Sequence, residues 1–258
     1  MASTKSTNST TTTTTTRSPT PTTAAAATAE PLTLNILSLN CWGLQYVSQR
    51  RRERLDEISR RIASARPAWD IVGLQEVWVY SDYVGLRAAT AAVLPYGKFY
   101  HCGLVGAGLV ILSRFPIVES SMHPYVLNGR PTAFWRGDWY AGKGVACAVL
   151  ELDEPGGNTG RARRAVEVFN THLHAPYEAG GDSYLCHRTA QAWQISKLLR
   201  ASVQKGHIPV AVSYISIYLY TYIHIYIYII STCCQVPLCQ GRRRLNVFIH
   251  PFIHFLPP

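Results

Sequence analysis

The sequence predicts a layered α/β domain, with mixed β-sheets flanked by helices. Strand-like and helix-like segments alternate from Leu32 onward. Some neighbouring strands are joined by turns too short to hold a crossover helix, so antiparallel pairs must mix with parallel ones. Several of the strands end in polar residues that have no role in a core. Function is expected where those ends converge.

Residues 1–31 precede this pattern. They are almost entirely Ser, Thr, Ala and Pro, including an unbroken threonine run from Thr10 to Thr16. Such a segment has too little apolar surface to offset its ordering entropy and is expected to be a disordered tail. It holds one Lys, one Arg and no apolar block, so it does not read as a secretory signal. A transit peptide is an alternative, because acidic residues are scarce there.

LTLNILSLN reads as the first strand. In QRRRERLDEISRRIASA, helical spacing puts Leu55, Ile58, Ile62 and Ala65 on one face. Asp56 with Arg60 and Glu57 with Arg61 then form i,i+4 pairs on the other. WDIVGLQEVWV is a strand, apolar on both faces at its start, as a strand buried between two layers should be. Residues 81–94 read as a helix. FYHCG and GLVILSR are short strands, the second ended by Phe115-Pro116. KGVACAVLEL and RAVEVFNTHLH are two more, with EPGGNTG as their hairpin turn. Asp182 is placed to cap a helix running through Arg200, with Leu185, Ala192, Ile195 and Leu199 inward. HIPVAV follows as a strand expected in the sheet interior.

Net charge is +10, from 25 basic and 15 acidic residues. The excess is gathered at Arg50–Arg54, Arg161–Arg164 and Arg242–Arg244. A basic surface suits an anionic partner such as phospholipid head groups or nucleic acid, although the first run reads as solvated charge on a helix. The seven cysteines form no CxxC pair. Cys41, Cys102, Cys147 and Cys186 are isolated, which suits buried reduced thiols in an intracellular protein better than a zinc site.

Three strand ends carry candidate chemistry: Asn40 in LSLNCWG, Glu76 in GLQEVW, and Asn170, His172 and His174 in FNTHLH. Strand alternation puts the last three on one face. A carboxylate with carboxamide oxygens suits Mg²⁺, and a nearby imidazole suits charge stabilisation or proton transfer at phosphorus. Singly, Glu76 also reads as a solvated carboxylate, Asn40 as a turn former and His172 as a core histidine. GDWYAGKG, residues 137–144, nearly spells a nucleotide P-loop. Gly144 stands where a metal-binding hydroxyl is needed, and the segment opens a strand rather than a helix, so nucleotide binding is not expected.

In order, the motifs NCWGL, DIVGLQEVW, GLVILSRFPI, GDWYAGKGV and NTHLHAPY resemble the endonuclease/exonuclease/phosphatase superfamily, to which pancreatic deoxyribonuclease belongs. They resemble above all its neutral sphingomyelinases and the fungal inositol phosphosphingolipid phospholipases C. The resemblance covers about residues 32–212. It implies a deoxyribonuclease-like fold and Mg²⁺-dependent hydrolysis of a sphingolipid to ceramide and a phosphorylated head group. By matching motif, Glu76 would ligate Mg²⁺ with Asn40 helping to hold or orient it, while Asn170 and His172 would contact the scissile phosphate. Asp138 and Lys143 match a segment with a lipid-phosphate or gating role; the plain alternative is an exposed hairpin pair. The implied partners are a sphingolipid and an anionic membrane surface rather than nucleic acid, and the implied location is intracellular and membrane-associated. A nuclease or inositol-polyphosphate phosphatase on the same scaffold, and a non-catalytic lipid-binding fragment, are the alternatives.

The family pattern breaks after HIPVAV. A Gly-Asp-Phe-Asn motif and a later Asp-His pair are expected there, but no Asp or Glu follows residue 212. Residues 213–230 are instead an alternation of Tyr and Ile. The stretch has the length of a membrane span, about 20 apolar residues, but its six tyrosines are distributed throughout rather than gathered at two interfaces. It exceeds the usual strand of about 3–10 residues. A TA dinucleotide repeat translates as Tyr-Ile-Tyr-Ile, so the favoured reading of 213–258 is an aberrant tail from a retained intron or frameshift. An uncharged, proline-free Tyr/Ile run of high strand propensity favours aggregation. Deleting residues 213–258 is expected to raise the soluble fraction of recombinant protein without restoring hydrolysis. Unchanged solubility, read by sedimentation of matched lysates, would count against an aberrant tail.

Overall fold

Two β-sheets packed face to face, each covered on its outer side by helix, make up the computed structural model. It describes residues 32–103, 106–129, 141–152, 164–174 and 183–214, together with the backbone of 245–249. The expected disordered tail, the turn EPGGNTG, the capping residue Asp182 and the Tyr/Ile run beyond Tyr214 lie outside these residues.

The first sheet contains β1 (Leu32–Asn40), β2 (Ile71–Gln75), β3 (Tyr96–Tyr100), β4 (Leu109–Ser113) and β9 (Leu245–Ile249), in the order β3-β4-β2-β1-β9. The second contains β5 (Ile117–Pro124), β6 (Gly144–Leu152), β7 (Arg164–His172) and β8 (Ile208–Tyr214), in that order. β1 pairs in parallel with β2, and β7 with β8, while β3–β4, β2–β4, β5–β6 and β6–β7 are antiparallel. The expected mixed sheets are therefore present.

Alternation along each strand builds the layers. Leu34, Ile36, Ile71, Leu109 and Ile111 from one sheet meet Ala146, Ala148, Leu150, Val166, Val168, Val210 and Val212 from the other. Leu37, Val72, Leu74, Val110 and Leu112 point outward onto Leu55 and Ile62 of α1 (Arg51–Ser64) and Leu86 of α2 (Tyr80–Thr90). Val145, Cys147 and Phe169 likewise meet Ile195 and Leu199 of α3 (Leu185–Gln204). Because β2 and β4 are covered on both faces, every residue of each is buried. This is why their sequences read as continuous apolar runs.

Several local expectations change. Arg60 pairs with Glu57 one turn earlier, at 2.6 Å, rather than with Asp56. The arginine run of α1 is not uniformly solvated: Arg51 pairs with the largely buried Asp82 of α2, and Arg54 binds backbone carbonyls. Leu185 is half exposed because it opens α3, and Cys186 beside it is exposed rather than buried. Among the described residues β8 is an edge strand, not an interior one, and it runs on to Tyr214. Part of the 213–258 segment also adopts regular structure. Leu245–Ile249 adds to the sheet beside β1 in parallel, from Leu32↔Leu245 to Ile36↔Ile249, and pairs the groups that an open β1 edge would present.

Gly73 of β2 lies close against the second sheet. A Cβ there would stand 2.5 Å from Val212 Cγ2 and 3.3 Å from Asn170 Cγ. Gly73→Ala is expected to destabilise the fold by about 1–3 kcal/mol through overpacking. An unchanged urea midpoint would mean that the sheets can separate to admit a methyl group.

Candidate active site

Asn40, Glu76 and His172 converge at one end of the sandwich, although 36 residues separate the first two and they lie on different strands of one sheet. Asn40 Nδ2 donates to Glu76 Oε1 at 2.6 Å, and His172 Nε2 stands 3.9 Å from the same oxygen. The side chains of His172 and Glu76 are 13% and 18% exposed, so the pair is largely sheltered from solvent. The turn-forming reading of Asn40 holds. Its Oδ1 accepts from the Trp42 N–H at 2.8 Å, an Asx-type turn, while its amide orients the carboxylate.

Glu76 is aimed by its backbone. Gly73 and Gln75 point into the inter-sheet space, and Leu74 points to the helices. Regular alternation would carry Glu76 the same way as Leu74. Instead Glu76 takes a left-handed φ of 59°, and Val77 becomes the residue packed on the helix side. The turned backbone is held by Gly43, whose N–H donates to Glu76 O at 2.9 Å. A Cβ on Gly43 would lie 2.3 Å from that oxygen, so only glycine permits the approach.

Asn170 is held between the two sheets. It is fully buried, and its Nδ2 donates to Leu74 O and Val110 O, each at 2.9 Å. Its Oδ1 accepts from Gln75 Nε2 at 2.7 Å. The carboxamide of β7 is thereby engaged in joining the second sheet to β2 and β4 of the first. Gln75 is the partner that sequence reasoning missed. The available signal was a glutamine at an inward position of an otherwise fully apolar strand, where a polar side chain needs a buried partner. Beside this seam Ser38 Oγ donates to Ser213 O at 3.3 Å, and the buried Ser213 hydroxyl has no hydrogen-bond partner among the described residues.

His174 also parts from His172. It lies beyond the end of β7, stacks on Tyr184 with ring centroids 4.0 Å apart, and donates its backbone N–H to Gln191 Oε1 at 3.0 Å. Lys143 is no exposed hairpin residue: it is 5% exposed and its Nζ donates to Leu173 O at 3.1 Å, beside the end of β7. Its neighbour Gly142 presses against the 102–103 backbone, where a Cβ would stand 1.9 Å from Cys102 O. Asp138 lies outside the described residues. Cys41, next to Asn40, is sealed in: burial first, and the Glu76 carboxylate second, push its thiol up to about 12. It therefore stays a neutral thiol at ordinary pH and is a poor metal ligand or nucleophile.

This geometry accompanies a family match. Residues 37–212 fit the model of the Endonuclease/Exonuclease/phosphatase family. The chain belongs to that family. Inositol phosphosphingolipids phospholipase C of Schizosaccharomyces pombe is 53% identical over 184 residues, covering 71% of this chain and 41% of the relative. Human sphingomyelin phosphodiesterase 2 is 34% identical over 177 residues, covering 69% and 39%. The chain thus spans about two fifths of the length of these relatives. Among solved structures, sphingomyelinase C from Streptomyces griseocarneus superposes with a TM-score of 0.52 at 22% identity, covering 80% of this chain and 70% of that one, which supports the sandwich fold.

Asn170→Ala leaves two backbone carbonyls and the Gln75 amide without their partner in a site with no solvent access. The loss is expected to be about 3 kcal/mol or more. A lower urea midpoint would support the clamp. An unchanged midpoint would argue against it.

Proposed function

We propose that this chain carries the metal- and phosphate-facing half of a Mg²⁺-dependent phosphodiesterase of phospholipase C type. Its substrate would be sphingomyelin or an inositol phosphosphingolipid, cleaved to ceramide and a phosphorylated head group. The observation that carries this reading is the Glu76 carboxylate, pinned by Asn40 and facing His172 at 3.9 Å. The names of the two relatives support the sphingolipid class.

The residues present fit Mg²⁺. This cation favours oxygen ligands, keeps several waters and often takes only one or two protein carboxylates together with substrate phosphate. Asn40 occupies Glu76 Oε1, and Glu76 Oε2 has no hydrogen-bond partner among the described residues. When bound, the cation supplies polarisation of the phosphoryl oxygen and neutralisation of the leaving oxygen. Asn40 fixes the carboxylate rotamer. His172 donates from Nε2 to a phosphate oxygen and stabilises the charge that develops there. Lys143 and Asp138 serve the lipid phosphate or gate access to it.

Attack by water also needs an orienting Asp-Asn pair and a general base, and the residues from 213 to 258 contain no Asp or Glu. The 258-residue chain is therefore proposed to be inactive by itself, a loss of about 10² to 10⁴ in rate attaching to the base alone. The setting proposed is intracellular, at an anionic membrane surface. Among the described residues no helix is long and apolar enough to cross a membrane.

A chimera joining residues 1–212 to the remaining part of the S. pombe relative tests the reading. It is expected to hydrolyse inositol phosphosphingolipid or sphingomyelin with Mg²⁺ and to leave plasmid DNA intact. In it, Glu76→Gln should weaken Mg²⁺ binding and nearly abolish turnover. His172→Ala should lower turnover at saturating Mg²⁺ with little change in metal affinity. DNA nicking in preference to lipid hydrolysis would overturn the substrate class, and equal loss of metal affinity in both variants would overturn the division of roles.

A further inference from the structure

The segment joining β1 to α1, residues 41–50, has no part in the chemistry above, yet it forms the rim of the site. Trp42, Leu44, Tyr46 and Val47 are 47%, 37%, 96% and 61% exposed. Four large apolar or aromatic side chains within six residues, all turned to solvent, need a covering partner. The loop is also rigidly built. Trp42, Tyr46 and Arg50 all have left-handed φ values, of 45°, 66° and 48°. Such conformations cost of order 1–3 kcal/mol each and persist only where the surroundings impose them.

Arg54 imposes them. Its guanidinium donates to Cys41 O at 2.9 Å and Trp42 O at 2.8 Å, and its Nε donates to Gln49 O at 3.0 Å. It therefore binds both ends of the loop, and it lies 4.8 Å from the centre of the Trp42 ring. Inside the loop, Ser48 closes the turn with N–H and Oγ bonds to Leu44 O at 3.0 and 2.7 Å. The apolar tip is thus presented in a fixed shape, with little further entropy to lose on docking.

We propose that this loop is the membrane-docking element of the domain, inserting Tyr46 and Val47 with Leu44 and Trp42 into the surface of an anionic phospholipid bilayer. Charge decides for a bilayer. Residues 40–54 carry four arginines against the one glutamate, Glu53. Arg52 is exposed beside the loop base, and Arg50 is exposed while sharing Glu53. Aromatic side chains that sit at head-group depth, next to basic side chains that meet lipid phosphates, are what such a surface selects. Position gives the loop its purpose. Trp42 and Gly43 hydrogen-bond Asn40 and the Glu76 backbone directly, so insertion brings the carboxylate to the depth of the phosphodiester. That last link rests on the phosphodiesterase reading; docking itself does not.

The test is flotation of the complete chain with vesicles of equal parts phosphatidylcholine and phosphatidylserine, with Mg²⁺ binding followed separately by calorimetry. Tyr46→Ser combined with Val47→Ser is expected to weaken vesicle partitioning roughly tenfold or more. Thermal unfolding and Mg²⁺ binding should be unchanged, since both side chains face solvent. Tyr46→Trp should retain partitioning, and added salt should weaken it. Flotation of the double variant equal to that of the unsubstituted chain would overturn the proposal, as would failure of the unsubstituted chain to float. A change confined to self-association, read by light scattering, would overturn it in favour of an interface between copies. Loss of flotation in the double variant from a chain that binds no Mg²⁺ would leave the docking loop standing and remove the metal-site reading instead.

Discussion

The Asn170 carboxamide sets the spacing and register on which the site depends. Two sheets packed by side chains alone can slide, because apolar contacts are not directional. Three hydrogen bonds at one fully buried amide, donated to Leu74 O and Val110 O and accepted from Gln75 Nε2, remove that freedom. Gly73 permits the close approach beside them, with no side chain to hold Val212 and Asn170 away. Two residues along β7 from the clamp is His172, and two residues along from Leu74 is Glu76. Their separation of 3.9 Å follows from this register more than from any contact between them.

The second constraint is backbone strain around the end of β1. Glu76 and Trp42 have left-handed φ values, and the loop continues with Tyr46 and Arg50 in the same region. These segments hold each other: Cys41 N–H to Gln75 O, Gly43 N–H to Glu76 O, and Arg54 across the base of the loop. One local network thus aims a carboxylate inward and an apolar tip outward.

The outer ends of the fold are less symmetric. β8 has a partner strand on one edge only among the described residues, and β9 closes the β1 edge of the other sheet. The match to the family model ends at residue 212, within β8. Beyond it, a pairing partner for β1 comes from Leu245–Ile249, in a segment with no carboxylate to contribute to chemistry. Strand addition of this kind asks only for backbone groups and extended conformation, so it is compatible with a sequence that carries no family motif.

By itself the sequence determined most of the element order, the mixed sheets and two residues, Glu76 and His172, that the fold brings together; it did not mark β5 or β9 as strands. The readings that held follow from local patterning. A continuous apolar run marked β2 as doubly covered, turn residues marked hairpins, and Glu76 and His172 stood out as polar groups ending buried strands. Only the tertiary structure decided what Asn170, Gln75, Arg54 and His174 do. Strand periodicity gives the face on which a side chain lies, so Asn170 and His172 were indistinguishable in the sequence. Whether a polar group on that face meets solvent, ligand or a backbone carbonyl depends on the distance to the opposite sheet. At Asn170 the opposite layer is within hydrogen-bonding reach, with no side chain on Gly73 to hold it away, whereas His172 faces the Glu76 carboxylate across 3.9 Å. Arg54 read as one member of a charged run because its acceptors, the carbonyls of Cys41 and Trp42, acquire their direction only once the loop has folded around it.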